Sequence, residues 1–90
     1  MAWEIEISET AKKQLKKLAP KARTDIASYL RQRIATDENP RRFGAALQSN
    51  LKGLWKYRVG DYRLLCEIQD ERILVLVLEI GHRRKIYGGH

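Results

Sequence analysis

Trp55-Lys56-Tyr57-Arg58-Val59-Gly60-Asp61-Tyr62-Arg63 places cations where a strand normally carries none. Read as a hairpin about Gly60-Asp61, the segment pairs Val59 with Tyr62, Arg58 with Arg63 and Tyr57 with Leu64. A glycine at the first central position of a two-residue loop suits a type II′ turn, since that position needs a positive φ. Directly opposite side chains share a face, so Lys56, Arg58 and Arg63 project together from one side. Trp55, Tyr57, Val59, Tyr62, Leu64 and Cys66 project from the other and read as core. Two like charges placed opposite each other on paired strands destabilise the pair unless something anionic belongs between them. Phosphate is the anion to look for.

Outward from the hairpin, Gln69 to Glu71 reads as a polar turn, and the run from Arg72 to Ile80 as a strand apolar on both faces, hence central in its sheet. Gly81 is expected to end it. Before the hairpin, Arg41 to Asn50 is ambiguous; Phe43, Ala46 and Leu47 have helical spacing and predict a turn or two of helix. Asp37-Glu38-Asn39-Pro40 predicts a turn-forming loop. Nearer the N-terminus, Trp3 to Ile7 alternates apolar and acidic residues as a half-buried strand does. Ser8 is placed to cap a helix, Glu9 suits its first turn, and Ala11, Leu15 and Leu18 recur at helical spacing. Lys12, Lys13, Lys16 and Lys17 fall on its outer face and read as a solvated surface. Ala19-Pro20 breaks that helix and starts a second one, whose apolar stripe of Ala22, Ile26, Tyr29, Leu30 and Ile34 runs to about Thr36.

These elements predict one α+β domain over residues 1–90. An N-terminal strand precedes an antiparallel helical hairpin and then a three-strand antiparallel meander, the helices packed on one face of a mostly antiparallel sheet. The helices are expected to cover the aromatic face of the hairpin and to leave the opposite face as an open, shallow basic surface.

Eighteen Lys and Arg against eleven Asp and Glu give a net charge of +7, which points to nucleic acid, an anionic surface or an acidic protein as partner. No apolar run approaches the roughly 20 residues of a membrane-spanning helix, so no membrane partner is expected. The N-terminal residues lack the pattern of a secretory signal, and a single cysteine, Cys66, fits a reducing compartment; a cytoplasmic location is expected.

The segment from Gly81 to Tyr87 gathers His82, Arg83, Arg84, Lys85 and Tyr87. If strand pairing continues in register, it comes back beside Arg63. Guanidiniums fork onto phosphate oxygens, a Lys or His can move a proton, and a tyrosine ring can stack on a base. These are the parts for cutting RNA without a metal: a base near a ribose 2′-hydroxyl, cations around the phosphate, and an acid near the leaving 5′-oxygen. Zinc-type His/Cys spacing, a glycine-rich phosphate loop and a Ser/His/Asp set are lacking, so neither metal nor cofactor is expected.

The motifs LKGLWKYRVGDYRLLCEI and VLEIGHRRKIY, in this layout, resemble the RelE/ParE superfamily of bacterial toxins, and within it the RelE branch. The resemblance implies a type II toxin–antitoxin toxin that is a ribosome-dependent messenger RNA endoribonuclease, held inactive by a cognate RelB-like antitoxin and reaching operator DNA only through that antitoxin. It also implies that Lys56 and Arg58 are the two basic strand residues of the site. Arg63 would contact the scissile phosphate, Arg83 would lie near the leaving group, and Tyr87 would orient the substrate. Arg58 stands where a lysine is usual, which shifts the role of base toward Lys56, and His82 rivals Arg83 as acid. A ParE-like inhibitor of DNA gyrase on the same fold is the alternative, and an inactive binding member is a third reading.

Overall fold

The computed structural model describes residues 1–47 and 53–82. The acidic–apolar alternation forms β1 (Glu4–Ile7). Ser8 then caps α1 (Glu9–Lys16), its Oγ accepting from the Ala11 amide at 3.0 Å and donating to the Leu78 carbonyl at 2.7 Å. One hydroxyl thus satisfies a helix end and ties it to the sheet. Pro20 opens α2 (Pro20–Tyr29), as its fixed φ allows. The helical path continues through Leu30–Ile34 as a wider π turn, closed by the Ala35 amide donating to the Leu30 carbonyl at 2.8 Å.

The remaining strands are β2 (Ala45–Ala46), β3 (Leu54–Val59), β4 (Tyr62–Gln69) and β5 (Leu74–His82). They form one five-stranded sheet in the order β1-β5-β4-β3-β2. β1 lies parallel to β5, and the other three pairings are antiparallel. The hairpin register is the one the turn predicts: Val59 opposite Tyr62, Arg58 opposite Arg63 and Tyr57 opposite Leu64. Gly60 takes φ +61° while Asp61 keeps a negative φ, the combination of a type II′ turn.

Ala11, Ile26, Leu30 and Ile34 from the helices meet Tyr57, Leu64, Cys66, Ile68, Val75, Val77 and Ile80 from the sheet. The helical layer therefore covers the aromatic face of the hairpin, which is where the core lies.

Three local readings change. The helix expected within Arg41 to Asn50 is instead a 3-10 turn over Pro40–Arg42 followed by the edge strand β2; residues 48–50 lie outside the described residues. Gly44, at φ +75°, breaks helical continuity there. β5 starts later than Arg72, because Asp70–Arg72 forms a 3-10 turn and Ile73 adopts a left-handed φ of +51°, and it runs through Gly81 to His82.

Nor is the face away from the helices uniformly basic. The pairings place Glu4 beside Leu74, Glu6 and Glu67 beside Leu76, and Glu79 beside Leu65, all on that face. Lys56, Arg58 and Arg63 occupy only the part nearest the β3–β4 turn. Leu65 and Leu74, 7% and 2% exposed, are buried on that face outside the main core cluster.

Candidate functional site

β3 and β4 bring Lys56, Arg58 and Arg63 together by pleat and register alone: Arg58 faces Arg63 directly, and Lys56 stands two residues before Arg58 on the same face. They line a cavity of about 210 Å³ whose other lining residues are Gly44, Ala45 and Tyr57. Arg58 is exposed, and its Nε makes a long 3.4 Å bond to the Gly60 carbonyl. The Nη1 of Arg63 is buried and has no hydrogen-bond partner among the described residues. A buried charged donor without an acceptor is costly and rare, and here it belongs to a side chain that lines a cavity. The arrangement can take an anion with several oxygens.

The wall of this cavity went unforeseen in the sequence. β2 lies along β3 with Ala45 opposite Lys56. The chain leading into it is fastened from below by two aromatic residues of β3. Trp55 Nε1 donates to the Phe43 carbonyl at 2.7 Å, and the Tyr57 hydroxyl donates to the Pro40 carbonyl at 2.8 Å. Burial, with smaller contributions from Cys66 and Tyr29, pushes the Tyr57 phenol well above its ordinary range and keeps it a donor. Arg41 adds a forked pair to Asp70, at 2.9 and 2.7 Å, and this hydrogen bonding holds the Asp70 carboxyl below its usual range. Gly44 passes so close to β3 that a Cβ would collide with the Lys56 carbonyl oxygen and press on Trp55 and Tyr57. Its positive φ and this approach both demand glycine. A glycine interrupting the helical spacing of Phe43, Ala46 and Leu47 was the available signal.

His82 ends β5 opposite Tyr62, with the two rings edge-on at 5.8 Å. By the pleat, Tyr62 and His82 lie on the face opposite to Arg63 and Gly81. The structure thus brings Lys56, Arg58 and Arg63 together and places His82 around the end of the sheet. Arg83 and Tyr87 lie outside the described residues. Cys66 is buried, and burial pushes its thiol up to about 12, so it remains a neutral core group. Among the described residues, no cluster of three or more His, Cys, Asp or Glu could hold a metal ion, and no helix is long and apolar enough to cross a membrane.

The fold is thus a helical layer on one face of a small mixed sheet, with a cationic cavity at the β3–β4 end. The family described as "ParE toxin of type II toxin-antitoxin system, parDE" matches residues 5–87. Toxin RelG of Mycobacterium tuberculosis is 32% identical over 97% of this chain and 98% of its own length. Toxin RelE of the same organism is 29% identical over 94% and 86%. Among solved structures, the toxin–antitoxin complex RelBE2 of M. tuberculosis matches with a TM-score of 0.83 and 30% identity over 92% of this chain and 93% of that one. The isolated Escherichia coli RelE toxin, 22% identical, shares the fold with a TM-score of 0.71 over 90% and 84%. This chain belongs to the RelE/ParE superfamily of type II toxin–antitoxin toxins and is RelE-like within it.

Proposed function

We propose that the protein is a ribosome-dependent messenger RNA endoribonuclease that arrests translation and is held in check by a cognate RelB-like antitoxin. The observation that carries this reading is the Nη1 of Arg63, buried and without a partner among the described residues, in a cavity shared with Lys56 and Arg58. An RNA phosphodiester supplies the missing acceptors. Membership of the toxin family and the similarity to RelE proteins support the same chemistry.

In this mechanism the ribose 2′-oxygen attacks the adjacent phosphorus, its proton passes to a base, and the bond to the 5′-oxygen breaks as that oxygen gains a proton. Arg63 and Arg58 neutralise the charge that builds on the non-bridging oxygens. A guanidinium does not give up its proton at ordinary pH, so Lys56 takes the role of base. The contact of His82 with Tyr62, on the other face of the sheet, favours Arg83 over His82 beside the leaving group, where its guanidinium stabilises the charge on the departing 5′-oxygen while water supplies the proton. Tyr87 orients the substrate. The antitoxin partner is supported by the M. tuberculosis relative, which was solved as a toxin–antitoxin complex. Operator DNA would be reached only through that antitoxin, and the cytoplasm is the site of action.

The test is cleavage mapping of a programmed ribosome. Wild type is expected to cut the message in the decoding site, and Arg63→Ala to lose about 10²-fold or more in rate, as removal of a donor aimed at developing negative charge does. Intact message with wild-type protein, together with inhibited gyrase supercoiling, would establish the ParE-like reading instead.

A further inference from the structure

Phe43, one residue before the cavity wall, carries a guanidinium on each of two approaches. The Cζ of Arg42 lies 4.6 Å from the ring centroid and that of Arg33 lies 5.3 Å from it. A shared ring centre keeps the two charges within about 10 Å of each other, a Debye length at ~0.1 M salt, so each feels the other. Among the described residues neither forms a salt bridge, whereas neighbouring Arg41 forks onto Asp70 and Lys12 and Lys21 pair with Glu9 and Asp25. Both arginines are exposed.

The platform beneath them is fixed. Phe43 packs edge-on against Tyr29 at 6.3 Å, and its carbonyl is held by Trp55. Arg33 is delivered by the π turn Leu30–Ile34 and Arg42 by the 3-10 turn Pro40–Arg42, so two separate elements converge on one ring. Immediately after Phe43 the chain enters the cavity wall at Gly44 and Ala45, which, like Ala46 after them, are exposed and small. Among the described residues β2 is an edge of the sheet, and it follows Phe43 directly in the chain, so the arginine pair and the cavity wall lie on one continuous segment.

We propose that Arg33 and Arg42, stacked on Phe43, form a second phosphate-binding site that grips the backbone of a single-stranded RNA where it crosses β2 out of the cavity. This rests on the reading of the cavity as a site for an RNA phosphate. Two cations held close, neither in a salt bridge among the described residues, favour a phosphate, and guanidinium planes on an aromatic ring also offer a surface on which unpaired bases can stack. Continuity with a phosphate-sized cationic cavity favours RNA over an acidic peptide.

The experiment measures affinity of the intact protein for a single-stranded decaribonucleotide and for a diribonucleotide with one phosphate, each across a range of salt. The variants are Arg33→Gln/Arg42→Gln, Arg33→Lys/Arg42→Lys and Arg63→Ala, with urea midpoints checking that each folds. The double Gln variant is expected to lower the salt slope for the decamer by about 1.4, at ~0.7 per single-strand phosphate contact, and to leave dinucleotide binding unchanged. The double Lys variant should restore the slope. An unchanged decamer slope, an equal loss on the dinucleotide, or no measurable decamer binding by wild type at low salt overturns the proposal. So does a loss confined to binding of a poly-glutamate peptide, which would assign the pair to an acidic protein. If Arg63→Ala binds both RNAs like wild type, the cavity reading fails, while the arginine pair is still judged by its own slope.

Discussion

At the scale of single residues, the site depends on positions with no tolerance for change. Gly44 combines a φ of +75° with an approach to β3 that leaves no room for a Cβ. Gly44→Ala is expected to cost about 2 kcal/mol or more, from strain together with displacement of the wall, and to lower the urea midpoint accordingly. An unchanged midpoint would mean that β2 yields freely. Cys66 bears on alkaline stability. Its folded thiol titrates at about 12 against an ordinary value of 9.0, so the unfolded chain ionises first as pH rises. The stability contributed by the neutral thiol is therefore complete below pH 9.0 and is lost toward 12. Urea midpoints from pH 8 to 11 should fall less steeply for Cys66→Ala than for wild type; parallel curves would remove the thiol from the account.

At the scale of elements, β3 does two jobs with its two faces. Lys56 and Arg58 look into the cavity while Trp55 and Tyr57 reach under the sheet to fasten the chain that walls it. This linkage makes Tyr57→Phe a clean probe, since it removes one buried hydrogen bond and keeps the ring. It is expected to cost about 1 kcal/mol of stability and to speed amide exchange at Ala45 and Ala46 more than in β4. A uniform change in exchange would show that the Pro40 contact does not specifically hold β2. The hairpin and α1 were legible beforehand because their signals are local: a Gly-Asp turn with period-2 alternation, and a serine cap three residues before Ala11. β2 was not legible, because Phe43, Ala46 and Leu47 carry helical spacing and only contacts 12 and 17 residues away override it.

Across the whole molecule, charge is distributed differently from function. Residues 9–34 contain eight Lys and Arg against two Asp and Glu, so the helical segment carries +6 of the net +7. The sheet face with the cavity also bears Glu4, Glu6, Glu67 and Glu79 and is close to balanced. Under the proposed function, long-range attraction to RNA and local chemistry at a phosphate would thus fall on opposite layers. Lys13→Gln/Lys16→Gln/Lys17→Gln is expected to weaken association with ribosomes several-fold at low salt, with the difference vanishing at high salt. Cut positions should be unchanged. Altered cut positions with unchanged association would place those lysines in substrate selection instead.

Local order along the chain sufficed to determine the Trp55–Arg63 hairpin, its register, the cap at Ser8, the break at Pro20 and the grouping of Lys56, Arg58 and Arg63. Each follows from turn chemistry or from the periodicity of a single element. The tertiary structure alone decided that a second edge strand walls the cavity, that Arg63 keeps a buried donor unpaired among the described residues, that His82 turns to Tyr62, and that Arg33 and Arg42 meet on Phe43. Those outcomes join segments far apart in sequence, and side chains packing across the sheet decide them where local propensity cannot.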